Sequence, residues 1–141
     1  MEITSKGRYA VRVMADIAKT EGEFVSLSDI AKRQTISIKY LEKIVAMLSK
    51  AKLVESLRGA NGGYRLARQA KNITIKEILD ATGEEIKLTS CASGKDCPKA
   101  QECDTMGIWL SLNNLISDFL SSVTLKDLID KTFQNKILIK K

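Results

Sequence analysis

The chain has 141 residues, 44% hydrophobic and 28% charged, an ordinary balance for one domain, or one small domain with an appended element, that buries a core without disulfide staples. A single proline argues against a loop-rich chain, and aromatics at 5% leave little stacking surface for single-strand binding. The net charge is +6, and the whole excess lies in residues 1–70, with 13 Lys and Arg against 7 Asp and Glu, whereas residues 71–141 hold ten of each.

A basic half beside a neutral half fits a nucleic-acid-binding module joined to a sensing or oligomerising one; it also fits a merely solvated basic surface. No apolar run approaches the roughly 20 residues of a membrane span. The opening stretch MEITSKGRYAVRVMADIAK is charged throughout and lacks the apolar core and cleavage site of a signal peptide. A cytoplasmic protein is expected.

In chain order, residues 5–19 read as a helix, with Tyr9, Val13 and Ile17 every four residues and Ala10, Met14 and Ala18 beside them. Ser26 can cap a short helix holding Leu27, Ile30 and Ala31. After a break at Thr35-Ile36, Ser37 caps a second helix to about Lys50. That helix buries Leu41, Ile44, Val45 and Leu48 and exposes Lys39, Glu42 and Lys43. Two short helices joined by a tight turn form a helix-turn-helix, whose second member presents its first turns to a major groove. Leu53, Val54 and Leu57 then read as a strand, RGANGG as a turn and Tyr64 to Ala67 as the return. Gly59, Gly62 and Gly63 supply the positive-φ positions of a hairpin, and Arg58 stands at its shoulder. The whole is a winged helix.

Thr74 and Glu77 form a capping box for a further short helix, and Gly83 stops it. The segment CASGKDCPKAQECDTM, with small and polar residues that suggest a loop, holds every cysteine of the chain: Cys91, Cys97 and Cys103. From Met106 to Ser122 a long helix follows, with Trp109, Leu112, Ile116, Phe119 and Val123 spaced three, four, three, four. A stripe so wide near the end of a small domain needs extra cover, so a dimer interface is expected rather than a core helix of one subunit. Thr124 caps a last short helix, and the tail from Gln134 ends in a basic run. The expected organisation is a mainly α chain: a winged helix-turn-helix DNA-binding domain over 1–82 with a small two-stranded wing, a cysteine-bearing sensing loop over 83–104, a dimerisation helix and short helix over 105–133, and a flexible tail over 134–141.

An odd number of thiols in a reducing compartment favours metal ligation or thiol reactivity over disulfides. Thiolates suit iron–sulfur clusters and zinc. The chain has no histidine, so no nucleophile–histidine pair can form, and it has no phosphate-binding glycine motif. An enzyme is not expected. A small iron–sulfur electron carrier would need neither a winged helix nor a basic half.

At SKGRYAV, ISIKYLEKI and RGANGGYRL, followed by the three cysteines and IWLSL, the chain resembles the IscR-like iron–sulfur cluster regulators of the Rrf-two family of bacterial winged-helix transcription factors. The resemblance runs from Met1 to about Lys131. It implies a homodimer built on the long helix that binds two-fold symmetric promoter sites in double-stranded DNA, with a cluster in the cysteine segment selecting the sites bound, so that control of iron–sulfur cluster biogenesis or related redox and iron genes is expected. By position it implies that Lys39, Glu42 and Lys43 face base edges and that Arg58 enters the minor groove. Tyr40 is a packing or phosphate contact. Lys39 and Lys43 replace small or amide residues of these relatives, and each can meet guanine acceptors or simply neutralise phosphate, so the target sequence is not transferred.

The family's fourth cluster ligand, a histidine three residues past the last cysteine, is Met106 here; an alternative aspartate near the N-terminus is Arg8. Asp104 is the first candidate to replace it, with Glu102, Asp96, Thr105, water or a small thiol as others. A cluster with a non-histidine fourth ligand, [2Fe-2S] in preference to [4Fe-4S], is one reading. Zinc, direct thiol redox sensing and a vestigial loop are the others. Zinc fits less well, because structural zinc sites are closed by four protein ligands and built from close cysteine pairs. A cluster-free thiol-sensing regulator of cysteine or sulfur metabolism on the same scaffold is the alternative function.

Overall fold

The computed structural model describes residues 2–20, 22–90, 97–99 and 101–132. Helix α1 (Ser5–Ala18) starts at Thr4, whose side chain accepts from the Gly7 N–H, and it turns Ala10, Val13, Met14 and Ile17 into the core. Helix α2 (Leu27–Gln34) is capped by Ser26 and ends in a left-handed turn at Thr35. Helix α3 (Ile38–Lys50) begins at once, with Ser37 accepting from the Tyr40 N–H. Ile36 before the cap and Leu41 in the first turn are both buried, the arrangement that fixes the angle at which a chain enters a helix. Leu41, Ile44, Val45 and Leu48 are buried as the 3.6-residue period requires.

Strands β1 (Val54–Leu57) and β2 (Gly63–Leu66) pair antiparallel, with Val54 opposite Leu66 and Leu57 opposite Gly63. This wing is stitched to the segment before α2: Val25 and Tyr64 exchange both backbone hydrogen bonds at 2.8 Å. The approach is so close that a Cβ on Gly63 would lie 2.1 Å from the Val25 carbonyl oxygen, at a φ of +149°. Glycine is required there.

After a 3-10 turn at Ala70–Asn72, α4 (Ile75–Ala81) opens on the Thr74–Glu77 capping box. The long helix α5 (Met106–Ser122) lies against α4, and α6 (Leu125–Asp130) opens on a second capping box, Thr124 with Asp127. Between α5 and α6 the backbone rejoins the first half. Ile75 N–H donates to the Val123 carbonyl and Leu125 N–H to the Ile73 carbonyl, each at 2.9 Å. Val123 and Leu125 thus enter the same hydrophobic core as α1, α3 and α4.

This return overturns one expectation. Val123 does not continue the outward stripe of α5, because the helix ends at Ser122 and the extended backbone at Val123 points the side chain into its own chain's core, at 4% exposure. Helix α5 itself has no buried residue. Ile108, Trp109, Leu112 and Leu115 are exposed at 61, 37, 40 and 64%, whereas Ile116 and Phe119 are half-buried. No helix among the described residues is long and apolar enough to cross a membrane.

Candidate nucleic-acid interface and cysteine segment

Lys39, Glu42 and Lys43 are exposed on α3, opposite its buried stripe, and Arg58 is exposed where β1 meets the wing turn. The basic residues in ion pairs among the described residues lie elsewhere: Arg33, Arg65, Arg68, Lys76, Lys87 and Lys126. Helix face and wing tip therefore present charges that no other described residue pairs with, as binding a polyanion requires.

Tyr40 faces inward. Its ring meets that of Tyr9 on α1 edge to face, at 5.9 Å and 84°, and the Arg12 guanidinium stands 5.1 Å above the Tyr9 ring. The half-buried Tyr40 thus packs the first turn of α3 against α1. A second tie runs through Asp16, which sequence periodicity did not single out. Its carboxylate is buried and accepts from Arg33 Nε and the Arg33 terminal nitrogen, the latter at 2.6 Å, and from Gln34 Nε2 at 2.7 Å. Arg12 in turn donates to the Gln34 side-chain oxygen and carbonyl. Both ends of the α2–α3 turn are thereby clamped to α1. At the root of the wing, Arg65 pairs with Glu55 at 3.0 Å and lies 4.4 Å over the Phe24 ring.

Of the cysteine segment, Cys97 and Cys103 are described, as free and half-buried thiols; Cys91 and Asp96 lie outside the described residues, as does the tail beyond Thr132. Among the described residues no three Cys, Asp or Glu side chains converge as a metal site. Cys103 nevertheless has a thiolate-supporting seat. The Thr105 hydroxyl, 3.4 Å from its sulfur, and the backbone N–H groups of Thr105 and Met106 hold the thiol below its usual pKa range. Thr105 is the N-cap residue of α5 but does not cap it with its side chain. That hydroxyl points at the sulfur instead. Asp104 and Glu102 are exposed, and Met106 is the first residue of α5. The start of the segment is also tethered: the Glu84 carboxylate accepts from the Thr4 N–H and hydroxyl at the head of α1. Its negative charge there suits the positive end of the helix dipole.

Residues 3–131 match the family model described as "Rrf2: Iron-dependent Transcriptional regulator". The chain is 44% identical over 130 residues to the HTH-type transcriptional regulator IscR of Vibrio campbellii, covering 92% of this chain and 77% of that one. Among solved structures it is similar to T. potens IscR, with 34% identity and a TM-score of 0.72 over 99% of this chain and 94% of the other. It is also similar to CymR, the global cysteine regulator of B. subtilis, with 32% identity and a TM-score of 0.77 over 93% and 98%. With a winged helix that carries exposed charge on α3, and this likeness over nearly its full length, the chain is a DNA-binding regulator rather than an enzyme, and it belongs to the Rrf2 family of iron-dependent transcriptional regulators.

Proposed function

We propose that this regulator binds two-fold symmetric promoter sites as a cytoplasmic homodimer and that an iron–sulfur cluster, of the [2Fe-2S] type, held in the 83–104 segment controls that binding. The observation that carries the reading is the seat of Cys103, a thiol supported as thiolate three residues before α5 begins. Soft thiolates are the donors such a cluster takes, so the residues present fit it. Cys91, Cys97 and Cys103 would hold the cluster, with Asp104 the candidate for the remaining position. When bound, the cluster supplies a group that changes oxidation state or is lost on exposure to oxidants.

The chain's own residues convert this into DNA binding. Lys39, Glu42 and Lys43 read the major groove from a helix whose angle is held by Tyr9, Tyr40 and Asp16, and Arg58 on the wing enters the minor groove. Glu84 fixes one end of the cysteine segment to α1, and Thr105 with Cys103 forms the other end at α5. Order in this segment then fixes α5, and with it the spacing of the two reading helices in a dimer.

Anaerobic purification with iron, sulfide and zinc assays and visible absorption is the test, followed by footprinting of the natural chain beside a variant with all three cysteines changed to alanine. Iron and sulfide in equal amounts, with altered affinity or site choice in the variant, is the expected result. Identical footprints for the two proteins would sink the proposal. Absence of iron and sulfide, with DNA binding that still responds to thiol oxidation, would favour a cluster-free thiol sensor instead.

A further inference from the structure

Six large hydrophobic side chains are markedly exposed among the described residues, and four of them share one face of α5. Ile38 is one of the other two. It is the first residue of α3, is 49% exposed, and is absent from the hydrophobic side chains that pack on the core. It is not needed to start the helix: Ser37 supplies the cap, and Ile36 and Leu41 are the apolar pair that brackets it. A β-branched residue is also a poor choice for an exposed helical position on propensity alone. Its surroundings are polar and charged, with Ser37, Lys39 and Glu42 all exposed.

We infer that Ile38 is a specificity-determining residue of the DNA interface and that its side chain contacts the C5-methyl group of a thymine in the major groove. This rests on the reading of α3 as the helix that enters that groove. The thymine methyl is the one apolar feature on a major-groove base edge, and an apolar side chain is its natural partner. Position supports this. Ile38 and Glu42 stand one helical turn apart on the same flank of α3, their Cβ atoms about 5–6 Å apart. That distance spans one to two base-pair steps at about 3.4 Å each. A carboxylate accepts from the cytosine N4 amino group, so Glu42 and Ile38 together specify a cytosine with a thymine one or two steps away, once in each half-site.

A binding site selected by the full-length protein from random duplex DNA provides the probe. Each thymine is then replaced singly by uracil, which removes only the methyl group. One thymine per half-site is expected to lower the natural chain's affinity by about three- to fivefold, the value of one buried methyl or methylene. Ile38→Ala should bind the unmodified site more weakly by a similar factor and be indifferent to uracil at that position. Because Ile38 lies outside the core, Ile38→Ala should unfold at the same temperature as the natural chain. Sensitivity to uracil at no position, or the same sensitivity in both proteins, overturns the inference. Failure to select any DNA would overturn the reading of α3 itself, a separate outcome.

Discussion

Asp16 is a carboxylate 6% exposed on a helix that otherwise packs apolar residues inward, and a buried charge survives only where its oxygens are matched. Burial pushes its pKa up more than any other single influence. The hydrogen bonds from Arg33 and Gln34 and the positive charges of Arg33 and Lys19 together outweigh that, leaving the group below the usual carboxylate range. A folded-state value below the unfolded one contributes stability that is present above the unfolded pKa and lost as pH falls through the folded value. Asp16→Asn should therefore destabilise the chain at neutral pH, by about 1–3 kcal/mol, the worth of hydrogen bonds to a charged group, since the half-exposed Arg33 can turn to water. Urea unfolding of both proteins at several pH values checks this. Their difference should be full near neutrality and shrink below about pH 4, where Asp ordinarily titrates. A difference that ignores pH would mean that the loss is one of packing. The sequence carries no local sign of this group, because Arg33 and Gln34 lie 17 and 18 residues away and meet Asp16 only once α1 and α2 have packed. The exposed Lys39, Glu42 and Lys43 could be read from period alone, because exposure on α3 follows directly from its buried stripe.

At the scale of elements, the wing sets its own requirements. Gly59 and Gly63 stand at the two ends of one turn, both at positive φ, yet their surroundings differ. A Cβ on Gly59 would meet open space, whereas one on Gly63 would strike the Val25 carbonyl. Gly59→Ala should cost only the left-handed backbone, about 1 kcal/mol. Gly63→Ala should cost about 2–3 kcal/mol, because the strand must also move away and lose the Val25–Tyr64 pair. Thermal unfolding of the two variants should separate them in that order, and only Gly63→Ala should weaken DNA binding by displacing the wing and its Arg58. Equal losses would show that the Val25 contact gives way at little cost. The caps at Ser26, Ser37, Thr74 and Thr124 were legible in the sequence, since each depends on residues within three positions. The Val25–Tyr64 and Thr74–Thr124 bridges span some 40 to 50 residues and leave no periodic trace. For that reason Val123 reads as the end of an outward stripe and folds as part of the core.

The whole molecule, as one chain, leaves a 17-residue helix with no buried residue and four large hydrophobic side chains in water. Ile108, Leu112 and Leu115 recur along it at intervals of four and three, the spacing by which one helix packs along another. Covering each would return about 1–2 kcal/mol, and a two-fold arrangement counts every contact twice. A second copy of the chain is the occupant that the proposed function requires, because two reading helices on one duplex need a fixed separation. Leu112→Glu combined with Leu115→Glu should therefore give a monomer by sedimentation at micromolar concentration. The same protein should unfold at nearly the natural temperature when both are compared at dilution, since neither leucine is buried within its own chain. Its affinity for a site with both half-sites should fall by about a hundredfold, because the second half-site loses the effective concentration that linkage provides. Its affinity for a single half-site should stay as it is. If the doubly substituted chain still sediments as a dimer, α5 is not the interface. If it is monomeric but binds the full site undiminished, each copy reads its half-site independently, and a cysteine segment that acts by ordering α5 would have no means of changing which promoters are bound.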